Sequence, residues 1–176
     1  MKRIGLILLF LFIGAFLHSQ TSIWKMFDAD QFSLQFPTGW KIQEISSDFK
    51  NADVQFLAIA DQENSTDKFQ ENLNLIVENL QDATIDLKAY AKKSEDAIKK
   101  NIEGLKMFHK KTSVFEAGEC FIFQYHGKLS ANDLFWYQVY WVKDAKAYVL
   151  TLTSDEKSHW DFKRAFEVIA QSFIIK

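Results

Sequence analysis

A chain of 176 residues with 21 Lys and Arg against 23 Asp and Glu carries a formal charge of −2, which supplies no electrostatic drive toward nucleic acid or an anionic membrane. Its single cysteine excludes an intramolecular disulfide, so the fold must rest on a hydrophobic core. One Pro, six Gly and no Ser- or Gly-rich run leave no sign of a linker, repeat or low-complexity tract, and the length suits one domain.

The chain opens on Lys2 and Arg3, continues through an apolar run over 4–17 and turns polar at "HSQTS", which is the layout of a secretory signal peptide. The run is shorter than the roughly 20 apolar residues of a spanning helix. Cleavage is expected near Ser19 or Gln20, giving a signal peptide over 1–20 and a single domain over 21–176. No cysteine follows the run to carry a lipid anchor. The expected location is periplasmic or secreted, and the cleaved chain is not expected to span a membrane.

Strand-like patterns follow over 23–27, 32–36, 54–60 and 72–80. From Leu87 the small or apolar positions Tyr90, Ala91, Ser94, Ala97, Ile98, Ile102 and Leu105 recur at three- and four-residue steps. They predict a helix started by Asp86 and stopped by Gly104. Lys92, Glu95, Asp96, Lys99 and Lys100 read as its solvated face. Strands are expected again over 108–115, 119–125, 134–142 and 148–153, the last three as an antiparallel meander. A second helix begins at Ser158 with Asp161 three residues on, and Phe162, Phe166, Ile169, Ala170 and Phe173 form its stripe.

The stretch "LFWYQVYWV" over 134–142 is apolar on both faces. Such a strand belongs in the middle of a sheet covered on both sides. The expected fold is therefore α+β, a central antiparallel β-sheet flanked by helices in an α/β/α layered sandwich. Its rings are read first as core, and second as the lining of a ligand cleft.

The segments "FSLQFPTGW", "FQENLNLIVENL", "WYQVYWVKDAKAYVLTLTS" and "FEVIAQSFII", in that order, cover nearly all of the domain. Together they resemble the PsbP-like superfamily, which includes the photosystem lumenal protein PsbP, Ran-binding nuclear import factors and bacterial envelope proteins of the DcrB type. The resemblance implies a central antiparallel sheet with flanking helices, and a non-enzymatic accessory or assembly role exercised on a partner protein. It carries over no functional residue.

The residues themselves support that absence of chemistry. There is no G-x-S-x-G, H-E-x-x-H, C-x-x-C or Gly-rich phosphate loop, and Ser-x-x-Lys occurs four times without its companion motifs in order. Cys120 sits in an apolar strand and reads as a small hydrophobe. His109, His126 and His159 lie in separate segments without ligand spacing, although His126 shares a strand face with Cys120 and Gln124. The loop over 61–67 gathers Asp61, Glu63, Asn64 and Asp67, oxygen ligands suited to calcium, but it reads first as a solvated loop. No catalytic residue, metal site or cofactor is assigned.

Two functions remain. The first is a non-enzymatic interaction module whose partner is a protein of the cell envelope, with Trp24, Trp40 and Trp160 near element ends as its surface anchors. The second is a periplasmic carrier of a small apolar ligand such as a lipid, which requires a cavity of roughly 300–1,000 Å³.

Overall fold

The computed structural model describes residues 24–45, 53–62 and 69–176. The expected signal peptide and Glu63, Asn64 and Asp67 of the acidic loop lie outside them. Ten strands and two helices are described, in the order β1 (Trp24–Asp28), β2 (Phe32–Pro37), β3 (Lys41–Ile42), β4 (Val54–Ile59), β5 (Asn72–Asn79), α1 (Leu87–Asn101), β6 (Glu103–Phe115), β7 (Gly118–Leu129), β8 (Asn132–Lys143), β9 (Lys146–Asp155), α2 (His159–Gln171) and β10 (Ile174–Ile175). A seven-stranded sheet runs β3-β4-β5-β9-β8-β7-β6, and a three-stranded sheet runs β1-β2-β10. Every pairing is antiparallel.

Strand β8 sets the layering. Phe135, Tyr137, Val139 and Trp141 project into one core with Phe166, Ile169 and Ala170 of α2 and with Phe32, Leu34 and Phe36 of β2. Leu134, Trp136 and Tyr140 project into a second core with Tyr90, Ala91 and Ile98 of α1. Every ring of the "LFWYQVYWV" stretch is buried, so the rings are core. Gln138, the polar member of that stretch, is satisfied by side chains alone: its Oε1 accepts from the Tyr125 and Tyr140 hydroxyls at 2.9 and 2.5 Å, and its Nε2 donates to Thr151 Oγ1 at 3.0 Å. The antiparallel sheet and two helices match the expectation. The helix/sheet/helix sandwich needs amending, because α2 shares its face with the small sheet, through ring contacts such as Phe36 with Phe56 at 5.4 Å and Phe32 with Phe173 at 6.1 Å.

Local signals account for most element boundaries. Asp86 caps α1 by accepting from the Ala89 N–H at 2.7 Å, as expected. The β8–β9 hairpin turns on Asp144 and Ala145, both at positive φ (52° and 55°), which matches the right-handed twist of the flanking strands. Three expectations are corrected. Gly104 does not stop α1, which ends at Asn101; Gly104 sits inside β6 at φ +62°, where the pairing with β7 slips, as a bulge glycine does. Strand β6 begins at Glu103 rather than Phe108: Leu105 and Met107 alternate with exposed Lys106 and pack on the second core, a pattern too short to separate from the helical spacing that also takes in Leu105. Glu95 is buried rather than part of a solvated face. It receives Lys110 from β6 and Lys99 from its own helix, and these two cations hold its carboxyl down at about 2.

Gly127 lies where α1 hands over to β6: a Cβ there would stand 2.2 Å from Ile102 Cγ2 and 3.0 Å from the Glu103 carbonyl oxygen. One contact is to backbone, which cannot rotate away. Gly127→Ala should therefore lower the unfolding free energy by about 1–3 kcal/mol, as overpacking does. Chemical denaturation of the two proteins measures this, and equal midpoints would show that the junction yields.

Candidate functional site

The cleft that gathers most of the sequence's imidazoles opens at one end of the large sheet, under the N-terminus of α2. Its volume is about 310 Å³. Strand β7 supplies Gln124 and His126, which share a face by strand parity, and β8 supplies Phe135. Strand β6 supplies both Phe108 and His109. Consecutive residues of a regular strand point to opposite faces, but here the β6–β7 register slips between Met107 and His109. This bulge leaves Phe108 as an extra residue and lets both side chains reach the cleft. Helix α2 completes the wall with His159, Trp160 and Lys163.

The rings form a connected cage. His126 lies edge-on to Phe108 (centroids 4.4 Å), Phe135 (5.1 Å) and His159 (4.8 Å). His159 packs on Phe135 at 4.9 Å and on Trp160 at 4.7 Å. Lys163 holds its ammonium 4.9 Å above the Trp160 ring, a cation–π placement. Phe108 and Trp160 are 52% and 68% exposed and make the rim, whereas His126 and Gln124 are over nine-tenths buried and make the floor.

Glu156 organises both inner imidazoles. Its backbone carbonyl lies 2.6 Å from His159 Nδ1. A carbonyl only accepts, so His159 donates from Nδ1. The Glu156 carboxylate stands 2.9 Å from His126 Nδ1, a charge contact when the ring is protonated, and Nδ1 has no hydrogen-bond partner among the described residues. Burial among the rings pushes the His126 pKa below the ordinary histidine value; Glu156 pulls it back up, and burial prevails. Among the described residues, the lining contains no hydroxyl, thiol or carboxylate. Cys120 on the same strand is fully buried, and burial pushes its thiol up to about 11, which keeps it protonated and unreactive.

The three tryptophans expected as surface anchors have different fates. Trp160 is on the cleft rim. Trp40 is 5% exposed and lies inside the main core against Phe162. Trp24 is half-buried and packs on that core. The acidic loop's Asp61 is engaged by Lys41 at 2.6 Å, and no cluster of three or more metal-ligating side chains occurs among the described residues. A more open depression of about 600 Å³ lies near the start of α1, lined by residues such as Asp86, Lys88 and Glu119. Its charges are mixed and Asp86 is already used as a helix cap.

Comparison with known proteins places this architecture. The sequence profile of the PsbP family matches residues 25–175. The chain belongs to the PsbP family. Among solved structures, PsbP from the cyanobacterium Synechocystis sp. PCC 6803 is similar at a TM-score of 0.64 and 12% identity, over 93% of this chain and 99% of that one. LpqN, involved in cell envelope biogenesis of Mycobacterium tuberculosis, gives 0.59 and 12% over 90% and 87%. PA94 of Pseudomonas aeruginosa, a protein of unknown function, gives 0.61 and 13% over 87% and 97%. Identities this low show a shared PsbP fold. No curated protein matches the sequence.

His126 supplies a pH test. Because its folded-state pKa is depressed, the unfolded chain binds more protons between that value and the ordinary one, so stability rises with pH through this window. The His126 contribution is complete above about pH 6.5 and is lost on acidification below it. Melting temperatures between about pH 7 and 5 should fall less steeply for His126→Phe than for the parent protein. Parallel slopes would place the acid sensitivity elsewhere.

Proposed function

We propose that the chain is an exported, non-enzymatic accessory protein of the bacterial cell envelope, and that it acts by binding a partner protein through the aromatic–imidazole cleft. The observation that carries this reading is the pairing of Phe108 and Trp160, two large exposed rings from different elements that flank one concave site. Exposed rings around a buried floor have the composition of an interface anchor. The family resemblance to accessory proteins supports the same role, as does the involvement of LpqN in envelope biogenesis. A lining of aromatic rings, imidazoles, one amide and one ammonium, with no hydroxyl or thiol for the imidazoles to activate, supports a binding role over a catalytic one.

Other surfaces fit less well. The long edge strand β6 carries Lys106, Lys110 and Lys111 and a bulge, devices that discourage strand addition. No helix among the described residues is long and apolar enough to cross a membrane. Carriage of a small apolar ligand is the second reading, favoured by the cleft volume of about 310 Å³, which stands at the small end of ligand sites.

Capture from gently solubilised envelopes tests the two readings together. The parent protein should retain a protein partner, and Phe108→Ala with Trp160→Ala should lose it at an unchanged melting temperature. A partner held equally by both proteins would overturn the role of the cleft. A lipid-sized mass on the purified parent protein, lost from the variant, would establish the carrier instead.

A further inference from the structure

The cleft contains more polar capacity than its own protein uses. Gln124 is 8% exposed, and its carboxamide makes no hydrogen bond to any described residue, whereas Gln138 on the opposite face has three partners. The residue is buried but its amide is not sealed off, so it meets water or an entering group at the cleft floor, as polar groups of native structures do. The Gln124 amide lines the cleft, and a group entering from solvent is the partner available to it.

The electrostatics indicate the sign of that group. Lys163 brings a full positive charge, and its ammonium rests over Trp160 rather than on a carboxylate. The N-terminus of α2 adds the positive end of a 13-residue helix, and Ser158 at its cap position makes no side-chain capping bond; its hydroxyl instead donates to the buried Glu71 carboxylate at 2.7 Å. First-turn donors left without a side-chain cap favour an anion. Glu156 stands against His126 instead of lining the cleft, and Asp161 is exposed in the first turn of the helix. Beside this positive end, the cage of Phe108, Phe135 and Trp160 offers edges and faces to a flat ring.

We propose that the cleft binds an aromatic carboxylate, its ring held among Phe108, Phe135 and Trp160 and its carboxylate received by Lys163, Gln124 and the start of α2. This rests on the reading that the cleft is the binding site, and it adds the chemical class of the occupant. A free aromatic acid and the C-terminal aromatic residue of a partner share this chemistry.

Calorimetric titration of the exported protein with hydrocinnamate, hydrocinnamyl alcohol and the tripeptide Gly-Gly-Phe tests it. Hydrocinnamate should bind saturably, and the alcohol at least about fivefold more weakly, since it lacks the charge-assisted contacts. Lys163→Gln and Gln124→Leu should each weaken the acid by at least about fivefold and leave the alcohol unchanged, with melting temperatures as the check on folding. Tighter binding of Gly-Gly-Phe than of hydrocinnamate, lost on amidation, assigns the carboxylate to a partner's C-terminus; weaker binding assigns it to a free acid. Absence of hydrocinnamate binding at millimolar concentration, or equal affinity for acid and alcohol, overturns the proposal. If a partner captured through Phe108 and Trp160 is not displaced by hydrocinnamate, the aromatic carboxylate is wrong while the interaction role stands.

Discussion

A strand that is apolar on both faces cannot leave either face to water, and β8 imposes this condition on the whole sheet. Trp141 and Phe135 on one side and Trp136 and Tyr140 on the other are each no more than 6% exposed. Burial of a large apolar side chain is worth about 1.5–3 kcal/mol, so an uncovered face would forfeit several such contributions. The chain answers with two different covers. Helix α1 closes one face alone, while α2 needs the β1-β2-β10 sheet beside it to close the other. Once both faces are closed, binding chemistry has room only where a cover ends, and the cleft lies at such a place, at the N-terminus of α2.

The sheet edge shows a second constraint meeting the first. Strand β6 has an unpaired side, and its lysines and bulge discourage another strand from adding to it. The same bulge turns Phe108 toward His126, so a device that guards the edge also furnishes half of the cleft rim. Glu95 secures that edge from the other face, where Lys110 reaches from β6 to a carboxylate on α1.

What the sequence disclosed follows from the range of each signal. Periodicity placed β8, its meander neighbours and the apolar stripe of α2, because alternation and helical spacing are local properties. It missed the start of β6, where the brief alternation of Leu105 and Met107 also fits the end of the helical spacing, and the two-residue strands β3 and β10, which exist only through their partners. The parity that set Gln124 beside His126 was legible, and so half of the cleft floor could be read. The approach of His159 to His126 could not, since it depends on how α2 crosses the sheet. Phe108 could have been found only by detecting the bulge, which leaves no clear mark in composition. Trp40 was misjudged as a surface anchor for a related reason: a position near an element end does not reveal which core it plugs.

The pairing of β2 with β10 joins Ser33 to Ile174 and Phe32 to Ile175, contacts separated by roughly 140 residues of sequence. A polypeptide delivered N-terminus first presents Phe32, Leu34 and Phe36 long before the segment that seals them has emerged. Contacts of such sequence separation are slow to form, and apolar surface waiting for them is prone to aggregation. The cover over one face is thus the last to be completed when the chain is delivered in this order.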